Sequence, residues 1–195
     1  NFLRDIMEKT GKHQNDYWTS YYKNKKTINV PSYFCDFVIK NYNLKDKKVV
    51  EFCCGNGRDT YTLSNHCSSI IGVDFATKPK DNGNCSFIQA DIDSFLNSNS
   101  SDNFDTSYCR FGIHSISEEL EDKILDFSKE IYFEFRSDLD NSFKPDHYRR
   151  TINGNYFINK VIKKGYKILF FQESIDLAPF GDQNPIIIRI IAKKT

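Results

Sequence analysis

The stretch Lys48-Val49-Val50-Glu51-Phe52-Cys53-Cys54-Gly55-Asn56-Gly57-Arg58-Asp59 decides the fold of this chain. It predicts a short apolar strand, a glycine turn and the start of a helix. Gly55 and Gly57 let the backbone turn sharply and leave bare peptide for a ligand to lie against. The N–H groups at the start of the helix can meet a polar or anionic group. Glu51, near the end of the strand, can accept a hydrogen bond from an ammonium group.

The spacing of the glycines separates two kinds of loop. A dinucleotide site with the spacing Gly-x-Gly-x-x-Gly would place a third glycine at position 60, where this chain has Thr60. The threonine side chain would crowd the close approach of helix and strand that a pyrophosphate needs. The stretch resembles instead the acidic-x-Gly-x-Gly-x-Gly loop of class I S-adenosylmethionine (SAM) methyltransferases, with Glu51, Gly55 and Gly57 in register. Cys53 stands where the first glycine of that loop is usual.

Composition bounds the domain count and the partners. A length of 195 residues predicts one domain, 1–195, with an N-terminal helical cap over 1–45 and a core over 46–195. The net charge of +1 provides no strongly basic field, so nucleic acid is not an expected partner. No apolar run approaches the roughly 20 residues that span a bilayer. We therefore expect no membrane span.

Cysteine and histidine usage points to a reducing compartment and to no metal. The six cysteines contain no Cys-x-x-Cys pair, and several lie in apolar runs. Buried free thiols are therefore expected, rather than disulfides or zinc ligands. No charged-then-apolar leader is visible, so the expected location is the cytoplasm. The four histidines are scattered at positions 13, 66, 114 and 147, which predicts a metal-independent protein.

Strands and helices alternate along the chain, as in a parallel sheet covered by helices. A helix opening at Pro31 precedes the first strand, which begins near Lys48. The following elements are a helix from Gly57 to about His66, strands over 69–74 and 85–91 joined by a very short crossover over 79–84, a strand over 104–111, a helix over 117–128 and a strand over 131–135.

The last third of the chain has a different pattern. A helix over 151–164 precedes two strands, over 166–173 and 186–192, with no helix between them, so those strands must run antiparallel. The predicted fold class is therefore α/β, a Rossmann-like seven-stranded mostly parallel sheet closed by an antiparallel C-terminal hairpin. Such a hairpin favours the methyltransferase interpretation over a plain dinucleotide fold.

Two carboxylates end strands beside the glycine loop. Asp74 ends the second strand, where a carboxylate can accept from both hydroxyls of a ribose, and Asp91 ends the third. Residues 47–135 resemble the SAM-binding core of class I methyltransferases. The resemblance implies that Glu51 and the glycines line the methionine moiety, that Asp74 holds the ribose, and that Asp91 with Ile92 holds the adenine. The predicted cofactor site is completed by Trp18, Tyr22, Cys53, Asn56, Arg58, Phe75 and Arg110.

The N-terminal segment carries four large rings in six positions, Tyr17, Trp18, Tyr21 and Tyr22. One interpretation is a helix that docks these rings on the core. The other is a flap that closes over the ligand pocket, with Trp18 or Tyr22 touching the ligand. Both interpretations stay open on the sequence alone.

The segment after the fourth strand indicates the acceptor. Enzymes that methylate an adenine or glutamine nitrogen carry Asn/Asp-Pro-Pro-Tyr/Phe there, whereas this chain has the run from Cys109 to Ile116. Arginine forks match phosphate or carboxylate oxygens, which predicts an anionic small-molecule acceptor, with phosphate preferred. The predicted catalytic residues are Arg110, His114 and His147, and the predicted substrate-binding residues are Arg136, Tyr148, Arg149 and Arg150. Either histidine has the pKa range of a general base for a hydroxyl acceptor, and an anionic oxygen would need no base.

Residues 107–116, 132–137 and 147–194 also resemble methyltransferase domains associated with bacterial capsule and surface-polysaccharide synthesis. The resemblance lies in the phrases Arg110 to His114, Glu134 to Ser137, His147 to Arg150 and Leu177 to Arg189. The sequence therefore predicts a SAM-dependent O-methyltransferase of that kind. The alternatives are an RNA methyltransferase, a non-catalytic SAM-binding domain and a nicotinamide oxidoreductase, and a homodimer or a longer chain stays open.

Overall fold

The computed structural model describes residues 16–23, 28–142 and 147–195, and its centre is one seven-stranded sheet. The strands are β1 Lys48–Phe52, β2 Ser69–Asp74, β3 Cys85–Gln89, β4 Thr106–Arg110, β5 Glu130–Arg136, β6 Tyr166–Ser174 and β7 Ile187–Lys194. Their order across the sheet is β3-β2-β1-β4-β5-β7-β6. The first five strands pair in parallel, and β7 pairs antiparallel with both β5 and β6. The predicted fold class is confirmed.

Helices cover both faces of the sheet. They are α1 (residues 16–23), α2 Tyr33–Asn41, α3 Arg58–Ser64, α4 Ile92–Ser98, α5 Glu118–Phe127 and α6 Gly154–Lys163, with short 3-10 turns at Ser101–Asn103 and Ile113–Ser115. The predicted helices and strands agree with these within a few residues at their ends, as expected where helix ends fray.

Two local expectations need correction. Pro31 does not lie in the first turn of α2, because Ser32 is the N-cap and its hydroxyl accepts from the Cys35 N–H. Proline therefore precedes the cap. The sequence does not predict helix α4, because only seven residues form it and four of them are polar. Its N-cap is Asp91, whose side chain accepts from the Ser94 N–H.

Alternation along the strands divides the core into two apolar clusters, one on each face. Phe52 and Phe133 belong to the cluster under α4, α5 and α6, whereas Tyr108 and Tyr132 belong to the cluster under α2 and α3. Successive side chains in a strand point to opposite faces. Glu51, the neighbour of Phe52, therefore lies on the α2 and α3 face.

The carboxyl ends of the five parallel strands meet at one edge of the sheet, which we call the carboxyl edge. Because β7 runs antiparallel, its first residues and the last residues of β6 also lie at this edge. The glycine loop after β1, the turn after β4 and residues 175–186 between β6 and β7 are thereby brought to one side of the protein. Any site built from the predicted residues must lie there.

All six cysteines are free thiols, and all except Cys53 are buried. In the parts of the chain that the structure describes, no helix has the length and apolar character needed to cross a membrane.

Candidate functional site

The loop after β1 is held in a backbone conformation that suits glycine. Gly55 and Gly57 have φ angles of 55° and 75°, and Cys53 has a φ angle of 58°. Side chains other than glycine adopt this left-handed region at a cost of roughly 1–2 kcal/mol. Cys53 therefore adopts a backbone conformation that favours glycine, at a cost in strain.

Asp74 locks this loop against the end of β2. One carboxylate oxygen accepts from the Gly55 N–H at 2.9 Å, and the other accepts from the Ala76 N–H at 2.8 Å. The residue is only 8% exposed, and burial raises the pKa of its carboxyl although the backbone N–H groups act against that shift. Asp74, the residue predicted to bind the ribose, therefore lies directly beside the glycine loop.

Glu51 is buried beneath the loop, and Thr60 holds its side chain in place. Thr60 donates its hydroxyl to the Glu51 carboxyl at 2.6 Å, and both side chains are buried. Burial, followed by the nearby Asp59 carboxylate, raises the pKa of Glu51 well above its usual range. A cation arriving at this carboxyl would reverse part of that shift. The position of Thr60 thus supports Glu51 instead of leaving room for a pyrophosphate.

Asp91 acts as a helix cap in this structure. Its two oxygens accept from the Ser94 N–H at 2.8 Å and from the Ser94 hydroxyl at 2.7 Å, and these bonds lower the pKa of Asp91. Ile92 is buried in the core below α4. The predicted role of both residues in binding adenine stays a prediction.

Helix α1 brings its rings to the glycine loop. A Cβ atom added to Gly55 would lie 2.1 Å from the Tyr22 hydroxyl oxygen, so this phenol lies directly on the bare peptide of the loop. Trp18 stacks on Tyr22 with ring centroids 6.3 Å apart, and His147 stacks on Tyr17 at 4.3 Å. Burial, followed by the Asp74 carboxylate, raises the pKa of Tyr22. The rings therefore join the glycine loop to the segment that begins at His147.

His114 lies buried at the turn after β4. Its Nδ1 accepts from the Arg136 N–H at 3.1 Å, so the neutral ring carries its hydrogen on Nε2. Burial, followed by the nearby guanidinium groups of Arg149 and Arg136, lowers the pKa of His114 well below its usual range. In this arrangement His114 is a hydrogen-bond donor, and its predicted role as a base stays a prediction.

The predicted substrate arginines divide into two groups. Arg150 donates to the carbonyls of Ile113 and Ile116 and pairs with Glu121, so it anchors the segment to α5 rather than presenting a fork to a ligand. Its predicted role in substrate binding stays a prediction. Arg136 pairs with Asp140 and bonds Gln183, while its Nε is the only buried side-chain nitrogen or oxygen without a partner among the described residues.

Arg149 interacts with both histidines that the sequence predicts to be catalytic. Its Nε donates to the His147 Nε2 at 2.9 Å, and its charge acts on His114. Neutral His147 therefore carries its hydrogen on Nδ1. The structure brings Arg149, His147 and His114 together, and their predicted roles stay predictions.

Arg110 belongs to an ion network that the sequence did not reveal. Its Nε donates to one oxygen of Glu134 at 3.1 Å, and the Nε of Arg189 donates to the other oxygen at 2.6 Å. Glu134 and Arg189 were not among the predicted site residues, because their contact depends on the pairing of β5 with β7. Burial raises the pKa of Glu134, and the two guanidinium groups oppose that shift.

The remaining predicted residues also lie along the carboxyl edge. Asn56 donates to the carbonyl of Ile28 and so fixes the chain before α2 over the glycine loop. Arg58 lies 4.0 Å from the Asp59 carboxylate, Phe75 accepts from Gln89, and Tyr148 is partly exposed. Among the described residues, no three His, Cys, Asp or Glu side chains come together as metal ligands would, and metal independence stays a prediction.

Comparison with solved structures identifies proteins of the same fold. The structure is similar to a SAM-dependent methyltransferase from Anabaena variabilis, with a TM-score of 0.66, 19% identity and 93% of each chain covered. It is also similar to the Burkholderia thailandensis 1,6-didemethyltoxoflavin-N1-methyltransferase, which was solved with bound S-adenosylhomocysteine; the TM-score is 0.61 at 13% identity, with 77% of this chain and 72% of that chain covered.

A third similar structure contains a Haloferax volcanii putative methyltransferase in complex with its Trm112 methyltransferase activator. The TM-score is 0.69 at 11% identity, with 91% of this chain and 94% of that chain covered. No protein-family model and no curated protein matches the chain. At these identities the likeness concerns the fold, and the chain therefore has the Rossmann-like fold of SAM-dependent methyltransferases.

Proposed function

We propose that this protein transfers a methyl group from SAM to an oxygen of an anionic, phosphate-containing small molecule. The binding of SAM is supported chiefly by the contact between Asp74 and the N–H of Gly55. Through this contact, a carboxylate that could accept from a ribose lies beside the glycine loop. A Cβ atom at Gly55 would meet the Tyr22 hydroxyl oxygen at 2.1 Å, so a ligand lying against this peptide would take the place of the phenol, which ends a side chain of α1. The residues present therefore fit the cofactor.

Each part of the cofactor has a partner of suitable chemistry in this site. Asp74 would accept from the ribose hydroxyls, and the loop of Gly55 and Gly57 would face the amino-acid end. Glu51, whose charged form is disfavoured by burial, would gain from the ammonium group of that end. Asp91 would release part of its bonding to Ser94 to receive the adenine amine.

The chemistry at the acceptor follows from the cations around His114. Bound SAM supplies an electrophilic methyl carbon on a sulfonium sulfur, which leaves as a neutral thioether. Arg149 would hold the anionic acceptor through charge-assisted hydrogen bonds and so fix the attacking oxygen in line with the methyl group. His114 and His147 both accept on one nitrogen and carry hydrogen on the other. They would therefore donate to the acceptor, which favours an oxygen that is already anionic and needs no base.

The capsule or surface-polysaccharide role is supported by the resemblance of four phrases of the sequence, of which two contain Arg110 and Arg149. A cytoplasmic location, and a homodimer or a place in a longer chain, belong to the same proposal. An acceptor of that pathway type would be a phosphorylated sugar or a nucleotide-linked precursor.

The test is transfer of labelled methyl from SAM to phosphorylated sugars, nucleotide-linked sugars and the same sugars without phosphate. We expect label only on the anionic acceptors, and a KM that rises roughly 10- to 100-fold in Arg149→Gln, because one charge-assisted contact is lost. Lys123→Gln, which removes an exposed cation on α5, is the matched control and should leave KM unchanged.

Three results would contradict the proposal. Equal transfer to neutral sugars would show that the acceptor need not be anionic. Label on RNA with a steep salt dependence would favour the RNA methyltransferase. Binding of the cofactor without transfer to any acceptor would favour the non-catalytic domain.

A further inference from the structure

Three charged residues form a straight row across the carboxyl edge of the sheet. Strand pairing places Arg110 of β4 opposite Glu134 of β5, and Glu134 opposite Arg189 of β7. Residues directly opposite on neighbouring strands project to the same face. The three side chains therefore meet on the face that α2 and α3 cover.

The row has two guanidinium groups and one carboxylate. Glu134 is fully buried and uses one oxygen for each arginine. When all three groups are ionised, the row therefore has a net charge of +1. A buried charge is costly unless it is paired, so an unbalanced row of this kind favours a bound anion.

Only Arg110 can reach such an anion. The side chain of Arg189 is 7% exposed, lies over the rings of Phe34 and Phe37, and donates its Nη2 to the carbonyl of Leu177. The side chain of Arg110 is 19% exposed. Within the described residues its two terminal nitrogens make no hydrogen bond, and neither is buried.

The position of Arg110 indicates which anion it meets. Phe52, the last residue of β1, pairs with Cys109, so Arg110 lies beside Cys53 at the start of the glycine loop. The guanidinium group lies 4.1 Å from the centroid of the Phe111 ring, and the φ angle of 58° at Phe111 turns the chain away immediately afterwards. A ligand that extends from the glycine loop across the end of β4 would therefore meet this guanidinium group.

We propose that Arg110, fixed by Glu134 and Arg189, receives the carboxylate of the amino-acid end of the cofactor. This inference rests on the proposed function. Arg110 touches the ligand, whereas Glu134 and Arg189 act through it as positioning residues. Glu51, on the same face of the sheet, would meet the ammonium group of the same end, so that the protein recognises an α-amino acid by both of its charges.

The test compares two ligands that differ only at that end. S-Adenosylhomocysteine carries the amino-acid end, and methylthioadenosine has the same adenosine and thioether without it. Calorimetric titration of the wild type with both should show a clear preference for S-adenosylhomocysteine. In Arg110→Gln we expect the affinity for S-adenosylhomocysteine to fall roughly 10- to 100-fold, while that for methylthioadenosine changes less than about threefold. Arg110→Lys should lie between, because an ammonium keeps the charge but not the fork.

The positioning residues are tested by the same ratio of affinities. Glu134→Gln should reduce the preference for S-adenosylhomocysteine, and Arg110→Gln combined with Glu134→Gln should lose no more than Arg110→Gln alone, because both act on one contact. A change in folding alone would weaken both ligands together and leave the ratio intact. Lys123→Gln serves as the control for removal of a positive charge.

Three results would overturn the inference. If Arg110→Gln keeps the wild-type ratio, the carboxylate binds elsewhere. If the ratio is kept and the KM of an anionic acceptor rises instead, Arg110 serves the acceptor. If folded wild-type protein binds neither ligand, the proposed function fails and this inference fails with it, which is a different outcome from an unchanged ratio.

Discussion

Substitution of Gly55 by alanine separates the ligand surface from ordinary backbone strain. Gly55 has a φ angle of 55°, so alanine there would be strained by roughly 1–2 kcal/mol. Its Cβ would also lie 2.1 Å from the Tyr22 hydroxyl oxygen, which can move aside because it ends a partly exposed side chain of α1. The methyl group would then stand where the ligand is proposed to lie.

The chain provides a matched control at Gly83. This glycine has a φ angle of 59°, and a Cβ added there would meet no atom within 4 Å. Gly83→Ala therefore carries the same backbone strain with no steric consequence. We expect both variants to lose about 1–2 kcal/mol of unfolding free energy, which for a chain of this length lowers Tm by about 2–8 °C.

The affinity for S-adenosylhomocysteine should distinguish the two variants. Gly55→Ala should bind at least about 30-fold more weakly than wild type, or roughly 2 kcal/mol, because its methyl group displaces the ligand from the peptide. Gly83→Ala should bind as wild type does. The assay is calorimetric titration, with thermal unfolding followed by circular dichroism on the same samples. Equal affinities in the two variants would refute the assignment of Gly55 as the ligand surface.

Three further predictions concern individual side chains. Thr60→Val removes the donor to the buried Glu51 and should cost about 1–3 kcal/mol in urea denaturation, whereas Thr60→Ser keeps the donor; equal losses would contradict the importance of this bond. Asp91→Ala should cost about 0.5–2 kcal/mol as a lost N-cap, whereas Asp91→Asn keeps the cap but has no second oxygen for an adenine amine. Asp91→Asn should therefore be as stable as wild type and bind S-adenosylhomocysteine about 3- to 10-fold more weakly, and unchanged binding would argue against the adenine role. Burial raises the pKa of Asp74, and a ribose favours its ionised form, so the affinity should be full above that pKa and be lost as the pH falls through it; an affinity that rises with acid would oppose this.

Local patterns were sufficient for most of the fold. The stretch around Gly55 and Gly57 predicts a strand, a turn and a helix, and the structure contains all three. Asp74 stands out in the sequence because it ends an apolar strand, and the structure places it at the end of β2. The helix after Asp91 was missed, because seven residues carry too few apolar positions to show helical spacing. The sequence predicts an adenine contact for Asp91, and the structure shows in addition that this residue is the N-cap of the helix.

The row of Arg110, Glu134 and Arg189 was out of reach for a physical reason. Its residues are far apart in the chain, and they meet only because β7 inserts between β5 and β6 with a particular register. Local periodicity of the sequence predicts neither the order of the strands nor their register. The contacts of Arg150 were equally out of reach. Its charge predicts contact with a ligand, whereas in the structure it donates to carbonyls at the turn after β4.

The central claim is that the glycine loop and Asp74 bind SAM. Calorimetric titration of the purified protein with S-adenosylhomocysteine, beside the Asp74→Ala variant, tests it most directly. The account predicts a dissociation constant in the micromolar range for the wild type and loss of binding in the folded variant. Absence of binding by folded wild-type protein, or equal binding by Asp74→Ala, would contradict it.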